Sequence, residues 1–127
     1  MTIKEAEMKH HEAVKAYKIL HELGKTKMPA ETAYKLFKLR KALQPEFDFQ
    51  VEQEQKCAEI HNAVVDEKGM YRTENPEDMK ALVSDLRDLA KMDCNLEIEP
   101  VEITVDESLK LSPDDMEALE AFVIFKF

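Results

Sequence analysis

A chain of 127 residues that is 44% hydrophobic and 35% charged is one domain of ordinary size, residues 1–127, with material for a real but thin core. Two glycines and no tryptophan favour helices over a many-turned β fold, and no apolar run approaches the eighteen residues of a membrane span. A formal charge of −9 argues against non-specific affinity for nucleic acid across the whole surface, and two isolated cysteines fit free thiols in a reducing, cytoplasmic setting better than a disulfide framework.

The opening MTIKEAEMKH has neither the apolar stretch nor the small-residue cleavage site expected of a signal peptide. Within it, Thr2 and Glu5 stand at capping-box spacing and predict a helix running to about Leu23. Ala6, Ala13, Val14, Tyr17, Leu20 and Leu23 fall near one stripe, and Gly24 is placed to end the helix in a left-handed conformation. The linker over residues 25–28 is short, which favours an antiparallel neighbour.

Pro29 suits the first turn of a second helix, where its missing N–H costs nothing. Ala33, Leu36 or Phe37, Arg40, Leu43, Phe47 and Val51 continue near helical period, which resumes at Cys57 or Ala58, His61 and Val64. One helix from Pro29 to about Val65 would span roughly 55 Å. Pro45 predicts either a kink near Leu43–Pro45 or a break with the proline restarting the helix, because an interior proline clashes with the carbonyl four residues back.

Asp66-Glu67-Lys68-Gly69 reads as a turn and Met70-Tyr71 as a short extended piece. Asn75, Pro76 and Asp78 start a further helix whose apolar face is Met79, Leu82, Val83, Leu86 and Leu89, ending around Lys91. Leu96, Ile98, Val101, Ile103 and Val105 read as strand, with the alternation slipping by one at Pro100, the mark of an edge strand or bulge. Its partner could be residues 70–72, the C-terminal residues 123–127, or another chain. Ser112-Pro113-Asp114-Asp115 is a strong helix start, with Met116, Leu119 and Phe122 facing inward.

Catalytic fingerprints are missing from the sequence: there is no Walker loop, Rossmann fingerprint, HExxH, GxSxG or EF-hand loop. Cys57 and His61, four apart on a helix, could share a metal with Cys94 and one of His10, His11 or His21, or form a thiol–imidazole pair. A pair supplies only two of the four usual zinc ligands, and no third orienting group is visible. Asp85 with Asp88, and Glu97, Glu99 and Glu102, read as solvated surface in a chain with twenty-seven acids. No catalytic residue, metal or cofactor is therefore assigned.

Surface features carry more. Residues 1–44 hold ten Lys/Arg against five Asp/Glu, and residues 45–127 hold eight against twenty-two. That layout suits parts, or copies, that attract one another. Lys35, Lys38 and Lys41 share a face of the second helix and are candidate phosphate contacts, with Arg40 leaning toward the apolar side. No helix-turn-helix or stacking platform accompanies them, so pairing with acidic surface is favoured over nucleic acid. The closing residues Phe122, Val123, Ile124, Phe125 and Phe127 are unusually apolar for a chain end. They are predicted either to fold back on the core or to form an interface.

The run Lys27-Met28-Pro29-Ala30-Glu31-Thr32-Ala33-Tyr34-Lys35-Leu36, continued by Leu39-Arg40-Lys41-Ala42-Leu43, resembles a family of small proteins of unknown function encoded by tailed bacteriophages and prophages. Val65-Asp66-Glu67-Lys68-Gly69-Met70-Tyr71 and the closing Leu109-Lys110-Leu111-Ser112-Pro113-Asp114-Asp115-Met116-Glu117-Ala118-Leu119 add to the likeness. The resemblance implies a phage-encoded protein of the bacterial host cytoplasm, with a role in the virion or its assembly, and transfers no catalytic residue. Taken together, the expectation is an α+β fold, predominantly helical, with a long antiparallel helix pair and a small strand element in the C-terminal half. The expected function is non-enzymatic: a protein-interaction or assembly role with self-association, the rival being a nucleic-acid-associated regulator using Lys35, Lys38 and Lys41.

Overall fold

The computed structural model describes residues 4–105 and 109–127, an α+β arrangement dominated by helices. The described chain begins as a strand, β1 (Lys4–Lys9), and only then enters helix α1 (His10–Leu23). The helix predicted to open at Thr2 is corrected here; Thr2 itself lies outside the described residues. The cause is non-local. Strand β1 runs antiparallel to β4 (Asp93–Ile98), in a register from Lys4 opposite Ile98 to Lys9 opposite Asp93, and this ladder outweighs a local capping signal. Glu12 supplies the helix start instead, its carboxylate accepting from the Lys9 backbone N–H at 3.2 Å.

Gly24 closes α1 without leaving the right-handed region, at φ −62°, so the left-handed ending is also corrected. What the glycine supplies is room. A Cβ there would meet Arg40 Nη1 at 2.9 Å and the His21 carbonyl at 3.2 Å.

Helix α2 (Ala30–Ile60) starts directly after Pro29 and runs unbroken through Pro45, excluding a restart at the proline. Pro45 lies on the exposed side of the helix, where the one backbone bond it removes, to the Lys41 carbonyl, is least costly. The helix stops short of the predicted Val65. Asn62 takes a left-handed φ of 55°, Ala63 N–H donates to the Ala58 carbonyl at 2.8 Å, and Asn62 N–H donates to Glu59 at 3.3 Å. That is a Schellman ending, with Asn in the position usually held by glycine. Val64 and Val65 then form β2 (Val64–Val65), paired antiparallel with β3 (Tyr71–Arg72).

The first two helices are antiparallel: His10 lies against Glu46 and Gln50, Tyr17 stacks on Phe47 at 4.5 Å, and Gly24 approaches Arg40. Helix α3 (Pro76–Ala90) begins as predicted, with the Asn75 side chain accepting from Glu77 N–H at 2.9 Å. It buries Leu82 and Leu89 and touches both α1 and α2.

The strand expected over residues 96–105 is two strands in different sheets. Glu99 and Pro100 form the corner between β4 and β5 (Val101–Thr104), because proline has no N–H to carry a ladder across. Strand β4 pairs with β1. Strand β5 pairs, in parallel, with the C-terminal β6 (Val123–Lys126), Val101 opposite Val123. Between them lies α4 (Pro113–Leu119), whose Ser112 hydroxyl accepts from Asp115 N–H at 3.1 Å while Asp115 accepts from Ser112 N–H. The core gathers Leu20, Leu36, Leu43, Ile103, Leu119 and Phe122 where α1, α2, α4 and the β5–β6 pair meet. Fully burying each such side chain is worth about 1.5–3 kcal/mol.

Candidate interaction surface

Helix α2 organises the polar chemistry as well as the core. Its inner face presents Leu36, Leu39 and Leu43 in the first half, then Glu46, Gln50 and Glu54 at four-residue spacing. His10, the first residue of α1, is 3% exposed and reaches both of the first two polar groups. Its Nδ1 is 2.9 Å from Glu46 Oε2 and its Nε2 is 2.8 Å from Gln50 Oε1. Gln50 Nε2 donates to Glu54 Oε1 at 2.8 Å. The Cys94 thiol also faces Glu46, and the Tyr71 hydroxyl faces Glu54. Burial, helped by Glu46, pushes the Cys94 thiol up to about 12. The chain therefore links α1, α2, β3 and β4 through groups that satisfy one another, and no buried side-chain nitrogen or oxygen among the described residues lacks a partner.

Cys57 and His61 do not make a reactive pair. The His61 Nε2 is turned to Asp85 Oδ2 at 2.5 Å, so the third group invisible in the sequence exists, on α3. It works against nucleophilic chemistry: burial first, then the Asp85 carboxylate, raises the Cys57 thiol above its ordinary value and keeps it protonated. Among the described residues no three His, Cys, Asp or Glu side chains gather as a metal site, and Cys94 is engaged with Glu46 instead. Asp88 and Glu99 are exposed, while Glu102 pairs with Lys126. The Glu97 side chain lies outside the described ones.

The three lysines of the second helix separate into two roles. Lys35 is taken up within the fold, its Nζ donating to the Glu102 carbonyl at 2.8 Å and lying 3.4 Å from Glu31. Lys38 and Lys41 remain on the outer face, over the Tyr34 and Phe37 rings at 5.5 and 5.8 Å. Arg40 also approaches Phe37, at 5.9 Å. Tyr34 is 62% exposed and Phe37 and Phe49 are exposed too, on a face that the sequence pattern had assigned partly to the core. Of the two alternatives Leu36 and Phe37, the inner stripe takes Leu36, adds Leu39 and leaves Phe37 outside, a choice that only the direction of packing decides. An open groove of about 640 Å³ flanks this face, between Tyr34, Lys38 and Ala42 on α2 and the Ile98–Pro100 corner.

The apolar tail divides in the same way. Phe122 and Val123 are core residues, at 1% and 3% exposure, which takes them out of any interface. Phe125 is half-buried against the core, whereas Ile124 is half-exposed and Phe127 is 89% exposed. A third exposed apolar group caps the far end of α2: Ile60, Val64, Val65 and Met70. Among the described residues no helix is long and apolar enough to cross a membrane.

No protein-family model, curated protein or solved structure matches the chain. The fold and surface define a class: an α+β chain whose long helix carries a satisfied polar interior on one side and exposed aromatic and charged residues on the other.

Proposed function

We propose that the chain is a non-enzymatic interaction or assembly protein that presents the outer face of α2 to a protein partner. One observation carries this reading: Tyr34 and Phe37 stay exposed on a continuous helix whose other side buries Leu36, Leu39 and Leu43. Aromatic side chains left in water on a rigid element are the residues interfaces are built around. The titratable clusters support it from the other side, because His10, Glu46 and Cys94 are tied into the fold and His61 is tied to Asp85. The phage resemblance points the same way and would place the protein in the bacterial host cytoplasm or the virion.

The test is affinity capture and solution mass for the intact chain beside a Tyr34→Ser, Phe37→Ser variant of unchanged circular dichroism. A partner or oligomer lost in the variant is the expected result. A variant that keeps every association of the wild type overturns the reading. A second reading, nucleic-acid contact, is favoured by Lys38 and Lys41 lying on exposed rings. It requires binding to DNA or RNA that falls steeply with salt and is lost on replacing those two lysines.

A further inference from the structure

We propose that the outer face of α2 docks against the same face of a second copy, the two helices antiparallel about a two-fold axis near Pro45. The inference rests on the interaction reading above and names its partner. Tyr34, Lys38, Lys41, Pro45, Asp48 and Glu52 follow one another at spacings of three and four, so they form a single seam along the exposed side. The 31-residue helix is roughly 46 Å long, enough for both halves of the seam to engage.

The two halves differ in sign. Residues 30–44 carry Lys35, Lys38, Arg40 and Lys41 against Glu31; residues 45–60 carry Glu46, Asp48, Glu52, Glu54 and Glu59 against Lys56. On the seam itself, Lys38 and Lys41 precede Pro45, and Asp48 and Glu52 follow it. Among the described residues neither lysine lies within ion-pair distance of a carboxylate, and Asp48 has no cation partner. Glu52 pairs only with Lys56 of its own helix.

An antiparallel arrangement places Lys38 opposite Glu52 of the partner subunit and Lys41 opposite Asp48 of the partner subunit. The two-fold repeats both pairs, giving four. A parallel arrangement would set lysine on lysine and acid on acid. Self-complementarity under a two-fold is what an isologous dimer demands of one surface, and nothing requires it of a face meant for an unrelated protein. The exposed aromatics flank the seam: Phe37 comes level with Val51 of the partner subunit, and Phe49 with Ala42 of the partner subunit. These contacts cover rings that the isolated chain leaves in water.

Charge reversal tests this directly by sedimentation equilibrium on the full chain, with circular dichroism to confirm folding. One variant carries Lys38→Glu and Lys41→Glu; the other carries Asp48→Lys and Glu52→Lys. All four positions are exposed, so the fold is expected to survive. The wild type is expected to dimerise. Each variant alone faces like charges at all four pairs and should associate about ten to a hundred times more weakly. An equimolar mixture restores all four pairs with signs exchanged in two, so heterodimer should return. A wild type monomeric at every concentration overturns self-docking while leaving the wider interaction reading to its own test with other proteins. A dimer that either variant keeps, or a mixture that stays monomeric, also overturns it.

Discussion

The Nδ1 of His10 lies 2.9 Å from the Glu46 carboxylate, joining the first residue of α1 to the middle of α2 in a nearly water-free place. Phe49 closes over the imidazole edge-to-face, with ring centroids 5.9 Å apart. The contact fixes how far α1 slides along α2, since Leu20 and Leu43 alone would tolerate neighbouring positions. Replacing His10 with Ala leaves Glu46 and Gln50 without their shared partner and opens a void. We expect a loss of about 2–4 kcal/mol in urea unfolding. Glu46→Gln, which keeps a side chain of the same size and an acceptor oxygen, should cost less than half as much. Equal losses from both variants would mean that the imidazole contributes only bulk.

The two thiols should differ in reactivity by location and by charge. Cys94 is buried and its thiol is pushed up to about 12, while Cys57 is half-exposed and raised less, by burial and Asp85. At pH 8 a thiol reagent should modify Cys57 slowly and Cys94 only after global unfolding. The raised folded value of Cys94 also sets a pH dependence. The folded state favours the protonated thiol, so its contribution to stability is complete below the ordinary value of 9.0 and is lost as pH climbs from there toward about 12. Stability of Cys94→Ala should therefore fall less over that alkaline window than wild type. Parallel alkaline curves for the two proteins would contradict the assignment.

The C-terminal residues should separate cleanly in a stability scan. Phe122→Ala empties a fully buried ring site where α4 turns into β6, and is expected to cost about 3–5 kcal/mol. Phe127→Ser, at a side chain 89% exposed, should change stability by no more than about 0.5 kcal/mol. Deleting residues 123–127 removes the whole partner of β5 and the buried Val123, so it should unfold that end rather than release a folded monomer. A truncated chain with native near-ultraviolet dichroism would show that β6 adds nothing to the fold.

Asp66 organises the turn between β2 and β3, accepting from Lys68 N–H and Met70 N–H at 2.9 Å each and from Arg72 Nε at 2.5 Å. The Met70 backbone bond, then Arg72, holds its carboxyl below the ordinary 3.8. A lowered folded value means that the stabilisation is present above 3.8 and disappears as pH falls below it. Protection factors for amide exchange at residues 64–72 should fall in that acid window before the helices lose protection. In Asp66→Asn the hairpin should already exchange fast at neutral pH, with the acid step gone.

Much of this architecture was legible in residue order, and the largest miss, β1, has a non-local cause. The caps at Asn75 and Ser112, the start of α2 at Pro29 and the turn at residues 66–69 are local events, decided by side chains within a few positions of the backbone groups they satisfy. Strand β1 could not be read that way, because its pairing with β4 lies more than eighty residues off. The same holds for the site. Lys38 and Lys41 could be placed on one helical face from spacing alone, but the engagement of Lys35 by the Glu102 carbonyl depends on where β5 packs. The polar ladder at Glu46, Gln50 and Glu54 has i, i+4, i+8 spacing, but the sequence reading did not single it out. Nothing in the sequence marked His10 as the group that would complete it.

The two glycines should respond in opposite directions to the same substitution. Gly24 sits at φ −62°, which any residue adopts; of the neighbours of a new Cβ, the nearest is the far end of the Arg40 side chain, able to move aside, and the His21 carbonyl at 3.2 Å has to give by only a few tenths of an ångström. Gly24→Ala should therefore stabilise the protein by about 0.4–1 kcal/mol, chiefly by restricting the unfolded chain. Arg40 would give up part of its present position, and a weakened contact with Phe37 would appear as an altered ring resonance. Gly69 has φ +77° with open space around it, so its cost is conformational rather than steric. Gly69→Ala should destabilise by about 1 kcal/mol, and Gly69→Asn, which tolerates the left-handed region, should recover most of that loss. Thermal melts of the three variants decide the matter. A Gly24→Ala protein that melts below wild type would show that Arg40 is held too firmly to yield.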